Sequence, residues 1–494
     1  MSTLRAAVAA VPVPAPNGVD LVGFLRRWAP ADGNNQPLQA GVIVFEGNGV
    51  RCAVVALDTG SVVRPFADRL RSEVAEAIGS RPDAVFVNAS HTHAAPPLPG
   101  HLKTGGTTGA LRPEELRYAE DVAAALSATA AEAAGRLVPA RVGFATGEFD
   151  GGVNRRQRTP DGGTIMGWNP DGFRDTTVAV LRVDTEHGDP LATVVSYGCH
   201  PVVLGPDVTC ACADFVAPLR RVVSSATGAP CLFLQGCAGN VFPLEALHGS
   251  PGPEVTFGTR LAHRVLVARD EAEPWRTVLR EQVVQSASPM AMWRRERSEA
   301  QPEQRVGFSQ TEVSLKLQGL PSLEEIRALR ADLEDRHARA RDSGEPREGW
   351  NALWLHAEWA RGVERSILDG SISADVPAPV GALVVGPITF VTLPCEPFAE
   401  IGASIKDELG DGTVVLGYTN HMIGYVPTRE EFARGGYEPW LAPRHFGRPA
   451  PFDEGTADEL VRTAVRTARD ARARAREIPD RERRSRNTTE VTST

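Results

Sequence analysis

The sequence predicts an α/β fold, a mixed β-sheet core flanked by helices. Three observations predict it. Short apolar runs of strand length recur between residues 41 and 393. Stretches of helical periodicity alternate with many of them. Two of the runs are joined by Gly47-Asn48-Gly49, a turn sequence that marks an antiparallel hairpin.

The elements come in order. Residues 41–45 and 51–57 read as the two strands of that hairpin, with Asp58 expected to cap the segment after it. Residues 62–79 have the apolar spacing of a helix, and residues 84–87 are a short apolar run that reads as a buried strand. Residues 113–135 are rich in Ala, Glu and Leu and open on Pro113, a favoured first-turn residue. Further strand-like segments lie at 177–183, 192–197, 231–234, 381–385 and 388–393, and further helical ones at 258–269 and 398–409. Residues 290–350 interleave acids and bases, including Arg294-Arg295-Glu296-Arg297 and a helix-like run over 323–341. They read as a charged helical excursion into solvent. Residues 457–484 read as a charged helix, and the polar remainder through Thr494 as a disordered tail. The expected organisation is one domain over 1–456 carrying the 290–350 insertion, followed by the 457–494 helix and tail.

Composition bounds the function. The chain has 494 residues, 42% hydrophobic and 23% charged, enough for a large globular core. A net charge of −9 argues against a general nucleic-acid surface, which needs a basic stripe. No apolar run approaches the roughly 20 residues that span a bilayer. Pro12, Pro14 and Pro16 interrupt the N-terminal Ala/Val patch, so no secretion signal and no integral membrane segment are expected. Seven cysteines without a CxxC pair are expected as reduced thiols in a cytoplasmic protein. Composition does not indicate an oligomeric state.

The run Asn88-Ala89-Ser90-His91-Thr92-His93 carries the strongest chemical signal. Imidazoles two positions apart on an extended backbone project to the same side. One can serve a metal while the other acts on a substrate. A zinc site takes three or four N, O or S ligands, so partners are needed elsewhere. His200, in Ser196-Tyr197-Gly198-Cys199-His200-Pro201, comes directly after a strand, where α/β sheets build sites. Glu396 comes after another strand at the start of a helix, where an acid also serves the helix N-terminus. Tyr425 sits in the turn-rich stretch 420–428, where a tyrosine ordinarily packs with a wet hydroxyl.

Rival patterns fail. Ala95 and Pro96 stand where a metallo-β-lactamase H-x-H-x-D-H needs an acid and a histidine. There is no HExxH, GxSxG or phosphate loop, and eight regular βα units are not evident. Cys237, Gly-flanked after the 231–234 run, is a candidate nucleophile but more simply a buried, inert thiol.

Taken together, the segments resemble the neutral/alkaline (non-lysosomal) ceramidase family in its zinc-bearing N-terminal domain. The resemblance rests on Leu21-Val22-Gly23-Phe24-Leu25-Arg26, on Gln36-Pro37-Leu38-Gln39-Ala40 and on Leu57-Asp58. It continues through Ser90-His91-Thr92-His93, Cys199-His200-Pro201, Leu393-Pro394-Cys395-Glu396 and the run from Tyr425 to Phe432, ending near Glu438. It implies Zn2+ held by His91, His200, Glu396 and Tyr425. It implies transition-state groups at His93, Arg155 and Tyr437, with Glu396 also able to take a proton from water. The implied activity is hydrolysis of a linear N-acyl amide by metal-activated water.

There are departures. The family's G-D-V-S-P-N appears as Gly239-Asn240-Val241-Phe242-Pro243-Leu244, which removes a serine nucleophile at that position. Met422 replaces an aromatic three residues before Tyr425, and no room is expected for a C-terminal immunoglobulin-like domain. A soluble small-molecule amide is therefore expected as substrate rather than ceramide. The same site also suits an acyl transferase or cyclase, as in a specialised-metabolite pathway, and a catalytically silent binding protein is the remaining class.

Overall fold

The computed structural model describes residues 4–100 and 110–477. Among them, two sheets pack face to face between layers of helix. The larger sheet has eight strands in the order Cys231–Gln235, Pro190–Tyr197, Thr177–Thr185, Val138–Glu148, Arg5–Pro12, Gln39–Gly47, Val50–Leu57 and Val85–Ala89. It is antiparallel through its middle and parallel at both edges. The smaller sheet runs Val306–Lys316, Asp375–Val385, Ile388–Thr392 and Thr413–Leu416, and its last pair is parallel.

Alternation along the strands dictates this layering. Val42, Val44, Val55, Val85 and Val87 point to one face, onto the helices Phe66–Ile78, Pro113–Gly135, Val216–Thr227 and Pro253–Glu271. Ile43, Phe45, Val54 and Phe86 point the other way, onto Leu383, Val385, Phe390 and Leu416 of the smaller sheet. The far face of that sheet is covered by the helices Ala399–Leu409 and Thr456–Arg476. Strands covered on both sides read as continuous apolar runs, which is why residues 41–45 and 51–57 show no polar alternation.

The parallel pairs position the site. Each is joined by a helical crossover: Val50–Leu57 to Val85–Ala89 through Phe66–Ile78, Pro190–Tyr197 to Cys231–Gln235 through Val216–Thr227, and Ile388–Thr392 to Thr413–Leu416 through Ala399–Leu409. The hairpin turn is as expected: Asn48 and Gly49 both have positive φ, 54° and 74°, the two-residue form that suits strand twist.

Several expectations are corrected. Residues 290–297 are not helical. Pro289–Arg297 is a strand paired with Thr277–Gln285 in an exposed antiparallel hairpin, and Val306–Lys316 is a strand of the smaller sheet. The charge there hid strand-forming Val, Trp, Met and Phe. The helical part of the excursion is the pair Leu323–Asp342 and Arg347–Leu368, which pack on each other through Ile326, Leu333, Ala360 and Val363. Asp58 caps no helix. Its carboxylate takes the Arg220 guanidinium and the Gln39 amide. The C-terminal helix, Thr456–Arg476, buries Leu460, Ala464, Ala468, Ala471 and Ala475 in the core of the smaller sheet, so it is a layer of the main fold. The tail expected after it falls outside the described residues. No helix among those described is long and apolar enough to cross a membrane.

Asn88 bridges the edge strands and the second sheet. Its amide nitrogen donates to the Gly417 carbonyl at 2.9 Å and its oxygen accepts the Gln235 amide at 2.7 Å. Asn88→Ala would leave the buried Gln235 N–H without a partner, and is expected to lower stability by about 1–3 kcal/mol in equilibrium chemical denaturation.

Candidate metal centre

The crossovers carry His91, His200 and Glu396 just past the C-terminal ends of three strands, each with a parallel neighbour. His91 has φ of +65°, a left-handed conformation that costs a non-glycine residue about 1 kcal/mol or more. Its Nδ1–H donates to the Gly60 carbonyl at 2.6 Å, which turns Nε2 toward Glu396. His200 is built alike: Nδ1 donates to the Ala238 carbonyl at 2.7 Å. A carbonyl on the far nitrogen fixes the tautomer and orientation of metal-binding imidazoles.

Glu396 Oε2 lies 3.2 Å from His91 Nε2 and 3.3 Å from His200 Nε2. Glu396–Pro397 pairs in parallel with Tyr425–Val426, so Glu396 and Tyr425 are register partners. The Tyr425 hydroxyl stands 3.5 Å from His200 Nε2. His93 Nε2 is 3.2 Å from His91 Nε2. The ligand atoms of His91, His93 and His200 all lie within 4.8 Å of one another, a cluster that could hold a metal ion.

Electrostatics keep Glu396 ionised and His93 and His200 neutral. Burial alone would raise the Glu396 carboxyl, but the imidazoles of His91 and His200 outweigh it and hold it well below the usual carboxylate range. Burial, then the neighbouring His91 and His200, holds His93 well below the usual imidazole range. Burial and Arg155 bring His200 down to about 4. Burial drives the Tyr425 hydroxyl well above the ordinary phenol range, with Arg155 opposing.

Arg155, on the strand Gly152–Arg158, is buried behind these groups. Its Nε donates to Glu438 at 2.8 Å, Nη1 lies 3.3 Å from His200 Nε2, and Nη2 is buried without a partner. Burial opposes its charge, yet Tyr425 and Glu438 keep it protonated. Tyr437 stands further out. Its ring meets that of Tyr425 edge-on at 5.8 Å and its hydroxyl is 3.0 Å from His445 Nδ1. His91, His93, Glu396, Tyr425 and Tyr437 all line one cavity of about 620 Å³. The structure therefore brings together every site residue singled out in the sequence, with Tyr437 on the wall rather than at the centre.

Other candidates take structural places. Cys237 is buried and its thiol is pushed up to about 12 by that burial, the state of an inert cysteine. Cys210 and Cys212 are free thiols. Met166 and Trp168 face solvent. The Gly-aromatic pattern near the start acquires a reason. A Cβ on Gly23 would come within 2.4 Å of His93 Cγ, and Phe24 meets the His93 ring edge-on at 5.0 Å.

Sequence reasoning missed Tyr418, His421, His445 and Arg448. Tyr418 donates to Glu396 Oε2 at 3.4 Å and lies 4.5 Å from the His91 ring. Its only local signal is the turn-rich stretch that begins beside it.

No protein-family model matches the chain, and no curated protein matches it by sequence. Among solved structures, the neutral ceramidase from Pseudomonas aeruginosa is similar with a TM-score of 0.61 at 17% identity, over 95% of this chain and 74% of that one. A second structure, "Ceramidase complexed with C2", gives 0.61 at 15% identity, over 98% of this chain and 76% of that one. The molecule is an α/β protein with a cluster of three histidines, two buried and one half-buried, that could hold a metal ion. Its fold is ceramidase-like.

His200→Ala is expected to lower divalent-metal content at least about tenfold, read by elemental analysis of desalted protein whose circular dichroism is unchanged.

Proposed function

We propose that the chain is a zinc-dependent hydrolase that cleaves the amide bond of a soluble N-acyl small molecule, in a cytoplasmic setting. The observation that carries the reading is the convergence of His91 Nε2, His200 Nε2 and Glu396 Oε2, the two histidines being held from behind by carbonyls.

The donor set fits zinc. Zinc takes imidazole nitrogen and carboxylate oxygen, and Glu396 Oε2 stands 3.2 and 3.3 Å from the two imidazole nitrogens. His91, His200, Glu396 and Tyr425 are the proposed ligands. His93 is left out of the set because its Nδ1 is buried with no partner, so it lacks the carbonyl that orients the other two. Bound there, zinc supplies Lewis acidity and a water whose pKa falls from roughly 15.7 to about 7.

The chain's own residues do the rest. Arg155, oriented by Glu438, offers Nη2 to the negative charge that develops on the carbonyl oxygen. Tyr437 is the second donor, from the cavity wall. His93, kept neutral by burial, accepts the proton of the attacking water at Nε2 and returns it to the departing nitrogen. The apolar wall of Val63, Pro377, Met422 and Phe446 takes the acyl chain or its counterpart on the amine.

The test is turnover of N-acyl amides by zinc-loaded protein, monitored by mass spectrometry. Hydrolysis is expected, and Arg155→Gln is expected to lower kcat by about 10²–10³ while metal content holds. Turnover that survives exhaustive chelation would overturn the proposal.

A further inference from the structure

The cavity that holds the candidate metal ligands is also lined by a cation with no counter-charge among the described residues. Arg448 lines the same cavity as His91, His93 and Glu396. Burial is the one cause that lowers its guanidinium, to about 10. Its Nε donates to the Ile423 carbonyl at 3.1 Å, and its own carbonyl accepts the Trp359 indole N–H at 2.8 Å. The residue is therefore anchored at both its backbone and its side chain. Among the described residues, no carboxylate pairs with it.

The surroundings leave that charge uncancelled. Arg64 lines the cavity too, although Asp68 and Glu312 pair with it at 3.1 and 2.8 Å. His421, also in the lining, accepts the Arg64 amide at Nδ1 and is brought down to about 3 by burial and then by Arg448 and Arg64. Among the described residues of the lining, Glu396 is the one carboxylate, and it is committed to His91 and His200. A withdrawn, unpaired charge is costly to keep. A fixed guanidinium that faces a cavity, with no partner for its Nη groups among the described residues, is suited to bind a planar or tetrahedral oxyanion through two parallel hydrogen bonds.

We propose that Arg448 is a specificity-determining residue and that the substrate carries an anionic group, carboxylate or phosphate-like, apart from its scissile amide. This rests on the amide-hydrolase reading above. It names the class: an amide with an apolar chain for Val63, Pro377, Met422 and Phe446 and an anion for Arg448.

Two matched pairs test it. N-octanoylglycine is compared with N-octanoylethanolamine, which places the anion on the amine side. N-octylsuccinamic acid is compared with N-octylbutyramide, which places it on the acyl side. N-octanoyl-aminomethylphosphonate separates a phosphate preference from a carboxylate one. In wild type, the anionic member of at least one pair is expected to exceed its neutral partner in kcat/KM by about 10- to 100-fold, the discrimination that one charge-assisted hydrogen-bonded pair supplies. Arg448→Met should collapse that ratio through KM of the anionic substrate, with kcat on the neutral one unchanged. Arg448→Lys should retain part of it.

Neutral members turned over as well as anionic ones in both pairs would overturn the inference while leaving the hydrolase reading intact. Binding is measured separately, by calorimetry of the same anionic and neutral compounds with wild type and Arg448→Met. Anion-selective binding that Arg448→Met abolishes, without turnover of any amide, supports the subsite and sinks the hydrolase reading. Equal binding of anionic and neutral compounds sinks the subsite.

Discussion

The buried contact of Glu396 with His91 and His200 is the constraint on which the rest of the site depends. Glu396 comes from the end of a strand in the smaller sheet, and the two histidines from strand ends in the larger one. One carboxylate, 2% exposed, thus pins the two sheets to a common point. A buried carboxylate needs positive charge nearby, and both imidazoles spend Nδ1–H on backbone carbonyls. Their Nε2 atoms turn toward Glu396 Oε2 at 3.2 and 3.3 Å. A cation shared among the three, either a proton on an imidazole or a metal ion, satisfies the carboxylate. The geometry of His91, His93 and His200 could hold such a metal ion.

A second buried network fixes the groups around that point. Arg155 and Arg156 share Glu438, and Arg156 and Arg158 share Glu431. The strand Gly152–Arg158 is in this way stapled to the segment that carries Tyr437. Glu431 shows the balance of forces. Burial would raise its carboxyl, but Arg158, Arg434 and Arg156 bring it down to about 2. Such pairs add little net stability when buried. Here they hold a guanidinium against His200 with its Nη2 left unpartnered.

Much of this was legible in the sequence because strand ends and their neighbours are local features. Apolar runs at 84–87, 192–197 and 388–393 located the strands, and His91, His200 and Glu396 were the polar residues just past them. Glu396 and Tyr425 were legible as separate motifs, whereas their pairing as register partners was not, since parallel register is set by contacts distant in sequence. Tyr418, His445 and Arg448 carried no pattern, because a lone tyrosine, histidine or arginine in a loop acquires meaning only from the groups the fold sets opposite it. The hairpin 277–297 misled for the opposite reason. Its alternating Arg, Glu, Trp and Met satisfy a solvated strand as well as a solvated helix, and charge density does not discriminate between them.

The departure at Gly239–Leu244 is the point where sequence and site argue together. Phe242 stands where the resembling family has serine, and the ring is not a passive filler. Arg155 Cζ lies 4.6 Å over its face and His200 meets it edge-on at 5.5 Å. A guanidinium over an aromatic face gains cation–π attraction in a dry site, so Phe242 fixes the plane of Arg155 while Glu438 fixes its direction. The ring offers no hydroxyl to attack or to donate, and His200 Nδ1 stays on the backbone carbonyls of Ala238 and Val241. In the proposed reading, chemistry at this centre comes from the converging imidazoles, carboxylate and phenol, with the arginine held beside them. On that reading the missing serine narrows the mechanism to that set rather than removing it.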